Sequence, residues 1–451
     1  MTIRVLIPSG ALGLDYDKDA LARGVAMKPD LIAIDGGSTD SGPSYLGRGV
    51  SKYARSSTKK EWKGLIEAAR EAACPLVIGT AGTCGTDSTV DWLVEITREC
   101  LSELNQSARI ATLKSEQSPK EMTAAFQAGR VTPLPAAPLI SAADIENCTH
   151  IVALAGAEQI SEALNTGADI VIAGRTTDTA IIAALPLAKG AHSGGAWHGA
   201  KIGECGALCA TNPQSGVLMV EFDEAGFTVH PLADGAQATP QTVLAHMLYE
   251  NSDPFILHEP GGHLDVTQAK YNALDGTRVR VEGSTWHTAD AYTVKLEGAR
   301  IAGYQTILMA TLRDRHYVTH ARAWIDDILI KHAAKVGDRM GLGADDYTCE
   351  LRLTGVNATL GDLEERATTP NEIGVLCIIT AKDQQTANEI GKLMNPYLLH
   401  HPLTKEEEQP TFSFPFSPAE IDRGAAYEFC LHHTLRLDTP MEAFRLEVID
   451  A

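Results

Sequence analysis

No apolar run in the 451 residues approaches the roughly 18–20 needed to cross a bilayer as a helix, so no transmembrane segment is expected. The N-terminal MTIRVLIPSGALG starts directly as a strand, without the long apolar stretch and small-residue cleavage site of a signal peptide, and the chain is read as cytoplasmic. None of the nine cysteines forms a CxxC pair, and their irregular scatter reads as reduced thiols rather than a disulfide framework. Lys and Arg form no stripe. With 38 of them against 58 Asp and Glu, the formal charge is −20, which argues against nucleic acid or an anionic membrane as partner. Neither GxGxxG nor the phosphate-loop signature GxxxxGK occurs, so a dinucleotide or P-loop nucleotide has little support. Low-complexity tracts are missing too, and the length corresponds to roughly two to four globular domains.

What is present is a repeat of short apolar run, glycine-rich polar loop and helix-length amphipathic segment. The runs are IRVLIP (3–8), LIAI (31–34), PLVIG (75–79), ARIATL (108–113), IVALAG (151–156) and DIVIAG (169–174). Alternation of this kind predicts an α/β fold, with a mostly parallel, doubly wound sheet covered on both faces in the N-terminal half. From about 216 the texture changes to longer alternating stretches such as GVLMVEF and YQTILMATL, which predict a more antiparallel, β-rich layer up to 345. Residues 346–451 read as a small C-terminal α+β domain, divided from residues 1–345 at the polar stretch KVGDRMGLGADDY.

In an open parallel sheet, ligands bind beyond the carboxyl ends of the strands. There this chain concentrates its small and polar residues. DGGSTDSG supplies Asp35, Gly36, Gly37, Ser38 and Thr39; GTAGTCGTDST supplies Thr80 and Gly82; AGAE supplies Glu158; and AGRTTDTA supplies Arg175, Thr176 and Asp178. Glycines allow backbone N–H groups to approach a ligand, and Ser or Thr beside a helix start adds donors. The plain alternative is helix capping, but capping alone does not require the glycine clusters. These loops therefore predict a shared pocket for a small anion, with the Arg175 guanidinium holding a carboxylate in two parallel bonds. The competing partner for Arg175 is Asp178, three residues on.

Downstream, WHGAKIGECGALC would, if helical, place His198, Lys201, Cys205 and Cys209 on one face with Glu204 adjacent. Asp35, Lys201 and Glu204 are candidate proton carriers, and Cys205 is a candidate nucleophile if a neighbour lowers its pKa. His258 and Glu259, within FILHEPGGHLD, read as polar lining of a loop over the pocket. Their spacing to His263 matches no recognised zinc motif, so no metal is assigned. His246, inside TVLAHMLYE, reads as a core histidine.

IDGGSTDSGPSYLG, GADIVIAGRTTDTA, HGAKIGECGA, AHMLYE and FPFSPAEIDRGAAYEFCLHH together resemble the acyclic terpene utilisation (AtuA-type) family, with the motifs in the same order from the first strand to about Phe444. The resemblance implies a cytosolic catabolic protein in pathways that degrade branched terpenoid or other organic acids through CoA thioesters. The expectation is an acid–base enzyme of lyase, hydratase or isomerase type acting on a small carboxylic acid or its CoA thioester, with no cofactor. Two alternatives are a Cys205-dependent hydrolase or acyl transferase, and a non-catalytic subunit working with a small companion protein. A homo-oligomer is expected from general frequency alone.

Overall fold

Five of the apolar runs form parallel neighbours: β1 (Ile3–Ile7), β2 (Leu31–Asp35), β3 (Leu76–Gly79), β4 (Arg109–Lys114) and β5 (Ile170–Ala173), in the spatial order β1-β2-β3-β5-β4. They belong to a computed structural model that describes residues 1–366 and 369–451. Its contacts define two units, Met1–Arg300 with Phe429–Ala451, and Ile301–Glu428.

In the first unit the five strands are the centre of a ten-stranded sheet. Leu218–Phe222, Gly226–Pro231, Val279–Glu282 and Lys270–Ala273 extend it antiparallel beyond β1, and Arg445–Asp450 closes it antiparallel beyond β4. The sheet is therefore mixed: its strands from the N-terminal half pair in parallel, and the antiparallel strands from 218 onward join the same sheet rather than a separate layer. The run at 151–156 departs from the parallel set: His150–Ala153 leaves this sheet and pairs antiparallel with Leu296–Ala299. Four consecutive apolar residues look alike in either kind of strand, so the run does not declare its partner.

Alternate side chains of the parallel strands enter two cores. Leu31, Ala33, Val77 and Val171 pack in one with Ile181, Ile182 and Trp197 from helices Ala180–Ala188 and Ser193–Gly203. Ile32, Ile34, Ile78 and Ile172 pack in the other with Trp62, Leu65, Val90 and Leu93 from helices Arg55–Ala72 and Asp87–Leu104. Burial on both faces is why these strands read as continuous apolar runs. The second unit is an antiparallel sheet in which Ile373–Ala381 pairs with Tyr304–Leu312 and Tyr347–Thr354, packed against helices Ala321–Met340 and Gln384–His400 through Trp324, Ile328, Ile390 and Met394. No helix of the described residues is long and apolar enough to cross a membrane.

Parallel pairing of Ile34 with Ile78 and Asp35 with Gly79 brings the loops after β2 and β3 side by side. Gly36 sits at their closest approach. Its N–H donates to the Gly79 carbonyl at 2.8 Å, and a Cβ there would lie 2.3 Å from the Thr80 carbonyl oxygen. Glycine at 36 is thus set by neighbouring backbone. Gly36→Ala is expected to cost about 1–3 kcal/mol through overpacking, read as a lower urea midpoint at unchanged slope; an unchanged midpoint would show that the loops have room.

Candidate functional site

The loops after β1, β2 and β5 and the end of helix Ser193–Gly203 enclose a cavity of about 770 Å³. Its wall includes Ser9 to Ala11, Asp35, Gly37, Ser38, Asp178, Glu204, Cys205, Leu208, Tyr249 and Glu250, with Asp15 and Asp40 at exposed positions and Lys52 as the lysine of the lining among the described residues. Parallel strands deliver these tips to one end of the sheet. The helix stops at Gly203, followed by Gly206 at φ +59°, where a Cβ would lie 2.4 Å from the Gly216 carbonyl oxygen. Glu204 and Cys205 are thereby turned onto the cavity wall rather than continuing the helical face.

Asp35 ends β2 and is 5% exposed. Its Oδ2 accepts from the Gly37 N–H at 2.9 Å, while Oδ1 has no partner among the described residues. Burial first, then the charge of Asp178, pushes its carboxyl well above the usual range, against the opposing pull of Arg175. Asp178 keeps 29% of its side chain exposed and is also raised, chiefly by burial. Glu204 is pushed up to about 8 by burial, despite the Lys201 ammonium bonded to its Oε1. Burial alone would lower Lys201, but Glu204, Cys205 and Asp178 outweigh it, so the amine is held charged. Its Nζ also donates to the Tyr249 carbonyl at 3.0 Å. Cys205 is half-buried, and burial with Glu204 and Asp178 drives its thiol upward.

Arg175 is 6% exposed and its fork is engaged inside the protein. Nε and Nη2 donate to Glu297 at 2.9 and 3.3 Å, and Nη1 donates to Thr80 Oγ1 and the Thr176 carbonyl, both at 3.2 Å. Thr39 and Lys295 donate to the same Glu297 carboxylate at 3.0 and 2.9 Å. Asp178 is a more distant partner, at 3.7 Å. The expected free carboxylate anchor is therefore replaced by an internal ion network that ties the loops after β2, β3 and β5 together. Thr39, Thr80, Thr176 and Arg175 serve it instead of lining the cavity, and Gly82 packs against Thr89.

His198, Glu158, His258 and Glu259 lie off the wall. His198 is fully buried between Ser284 Oγ (2.7 Å) and Tyr271 Oη (3.2 Å), and burial lowers it to about 3. Glu158 accepts from Tyr292 Oη at 2.7 Å. His258 is exposed on a three-stranded sheet, where His258 pairs with His263 and His263 with His287. Glu259 accepts from Thr179, has a buried Oε2 without partner, and is raised by burial to about 7. Sequence reasoning missed the loop Ser9–Asp15, although the strand-end rule applied to β1 points to it. It also missed Tyr249 and Glu250, although they end the quoted motif AHMLYE, and Glu297, which carries no local signal.

Fold and cavity together define an α/β protein with a carboxyl-rich cleft at the ends of parallel strands, in which burial shifts Asp35, Asp178 and Glu204 upward. Residues 48–414 match the acyclic terpene utilisation family protein AtuA, and the chain belongs to that family. The matched span begins beyond the 35–42 loop and takes in the helix end carrying Glu204 and Cys205. No curated protein and no solved structure matched the chain.

Proposed function

We propose that this protein is an enzyme of acyclic terpene catabolism that moves protons on a small branched acid carried as its CoA thioester, by chemistry of the lyase, hydratase or isomerase type. The observation that carries the reading is Asp35: a buried carboxyl on the cavity wall with one oxygen unpartnered and Asp178 close enough to raise it. Two carboxyl groups that do not both ionise readily are suited to accepting a proton at one and supplying it at the other. A free carboxylate fits poorly among six acidic wall residues when Arg175 is already engaged by Glu297. A thioester brings no charge at its carbonyl and has a more acidic α-hydrogen. Leu14 and Leu208, 60% and 40% exposed on the wall, offer apolar surface to a branched chain.

A nucleophilic role for Cys205 fits less well, because its surroundings oppose thiolate formation and nucleophilic cysteines need the reverse. The test is to incubate the purified chain with branched acyl-CoA thioesters in D₂O and follow their mass. Uptake of deuterium next to the thioester carbonyl is expected, and its absence with every such thioester, the protein being folded, removes the proposal. Turnover by the chain alone also removes the reading of a non-catalytic subunit.

A further inference from the structure

We infer that Glu204, Cys205 and His246 form a binding site for one divalent transition metal of the zinc class. A carboxylate oxygen, a thiol sulfur and an imidazole nitrogen lie within 4.8 Å of one another. They come from the turn after helix Ser193–Gly203 and from the last residue of helix Pro240–His246. His246 is 4% exposed, and its Nε2 has no hydrogen-bond partner among the described residues. A buried imidazole with a ring nitrogen left bare is available as a metal ligand. The Lys201 ammonium fixes one oxygen of Glu204 and leaves the second for coordination.

The donor set names the metal class. Imidazole and thiolate with one carboxylate suit zinc, cobalt or iron, whereas magnesium and calcium prefer oxygen alone. The wall that such an ion would face also carries Asp178 and Glu250. On binding, a metal–sulfur bond forms and the Cys205 thiol proton leaves to solvent. Glu204 and Cys205 face the cavity, so an open coordination position would meet a ligand there and could polarise a carbonyl oxygen. The site stands apart from proton transfer at Asp35, since an ion can bind whether or not that transfer occurs.

Metal-free protein titrated with Co²⁺ is expected to take up one equivalent with a thiolate-to-cobalt charge-transfer band. Cys205→Ser should abolish the band. His246→Ala should weaken binding at least about 100-fold, the upper end of what losing an outer-shell partner costs. Folded wild-type protein without the band overturns the inference and needs no variant. So does a band that survives Cys205→Ser, or affinity in folded His246→Ala within about tenfold of wild type.

Discussion

Glu297→Ala is expected to cost about 3–5 kcal/mol of stability, because it leaves the Arg175 guanidinium buried without its counter-charge. Glu297 is 5% exposed and receives four hydrogen bonds, two from Arg175 and one each from Thr39 and Lys295. Burial would raise its carboxyl, but Arg175 and Lys295 more than offset this and hold it far below the usual range. The sign follows directly. A carboxyl depressed in the folded state adds stability above its ordinary pKa of 4.5, and that contribution fades as pH falls below it. Urea midpoints of wild type and variant should therefore differ most at neutral pH and converge in acid. The double variant Arg175→Met with Glu297→Leu removes both charges and should recover most of the loss. If single and double variants are equally unstable, packing rather than an unmatched charge is responsible.

Asp35→Asn should slow deuterium exchange by about 10²–10⁴-fold, the usual share of a positioned acid or base, while making the protein more stable as pH rises. Burial and Asp178 raise Asp35 in the folded state, with Arg175 pulling the other way. Stability from such a group is complete below the ordinary value of 3.8 and is lost as pH climbs toward the raised one. Asparagine never ionises and escapes that loss, about 1.4 kcal/mol for each unit of elevation. Its side-chain oxygen can still accept from Gly37. Urea midpoints across pH and exchange rates at one pH give the two readouts. A variant that loses activity without gaining stability at higher pH would show that Asp35 is not held protonated.

The parts of this molecule legible in its sequence are those whose cause is local. Strands buried on both faces must be apolar throughout, and their carboxyl ends must turn within a few residues, so β1 to β5 and the loop at Asp35 could be read directly. Asp178, Glu204 and Cys205 also reach the cavity wall, the last two because the helix ends rather than because it continues. Partners far apart in sequence were not legible. Arg175 has an acid three residues away, yet its main partner lies 122 residues on, in a strand where Glu297 looks like an ordinary polar position. His246 has the spacing of a core residue, and only the fold sets a nitrogen of its ring near Glu204 and Cys205. The antiparallel flanks depend likewise on which edge a strand finds, and residue pattern does not specify that.

Strand Arg445–Asp450 runs along β4 from Lys114 to Arg109, and residues 301–428 are inserted between Arg300 and Phe429 of its own unit. During synthesis the outer edge of β4 therefore stays open until the ribosome has made an entire second unit and returned. Until then a nascent chain carries an unpaired row of backbone donors and acceptors, a template for misassembly with neighbouring chains. Translation pauses late in the message, or cleavage ahead of residue 445, would prolong that vulnerable interval although the cleft residues themselves are already in place in the sequence.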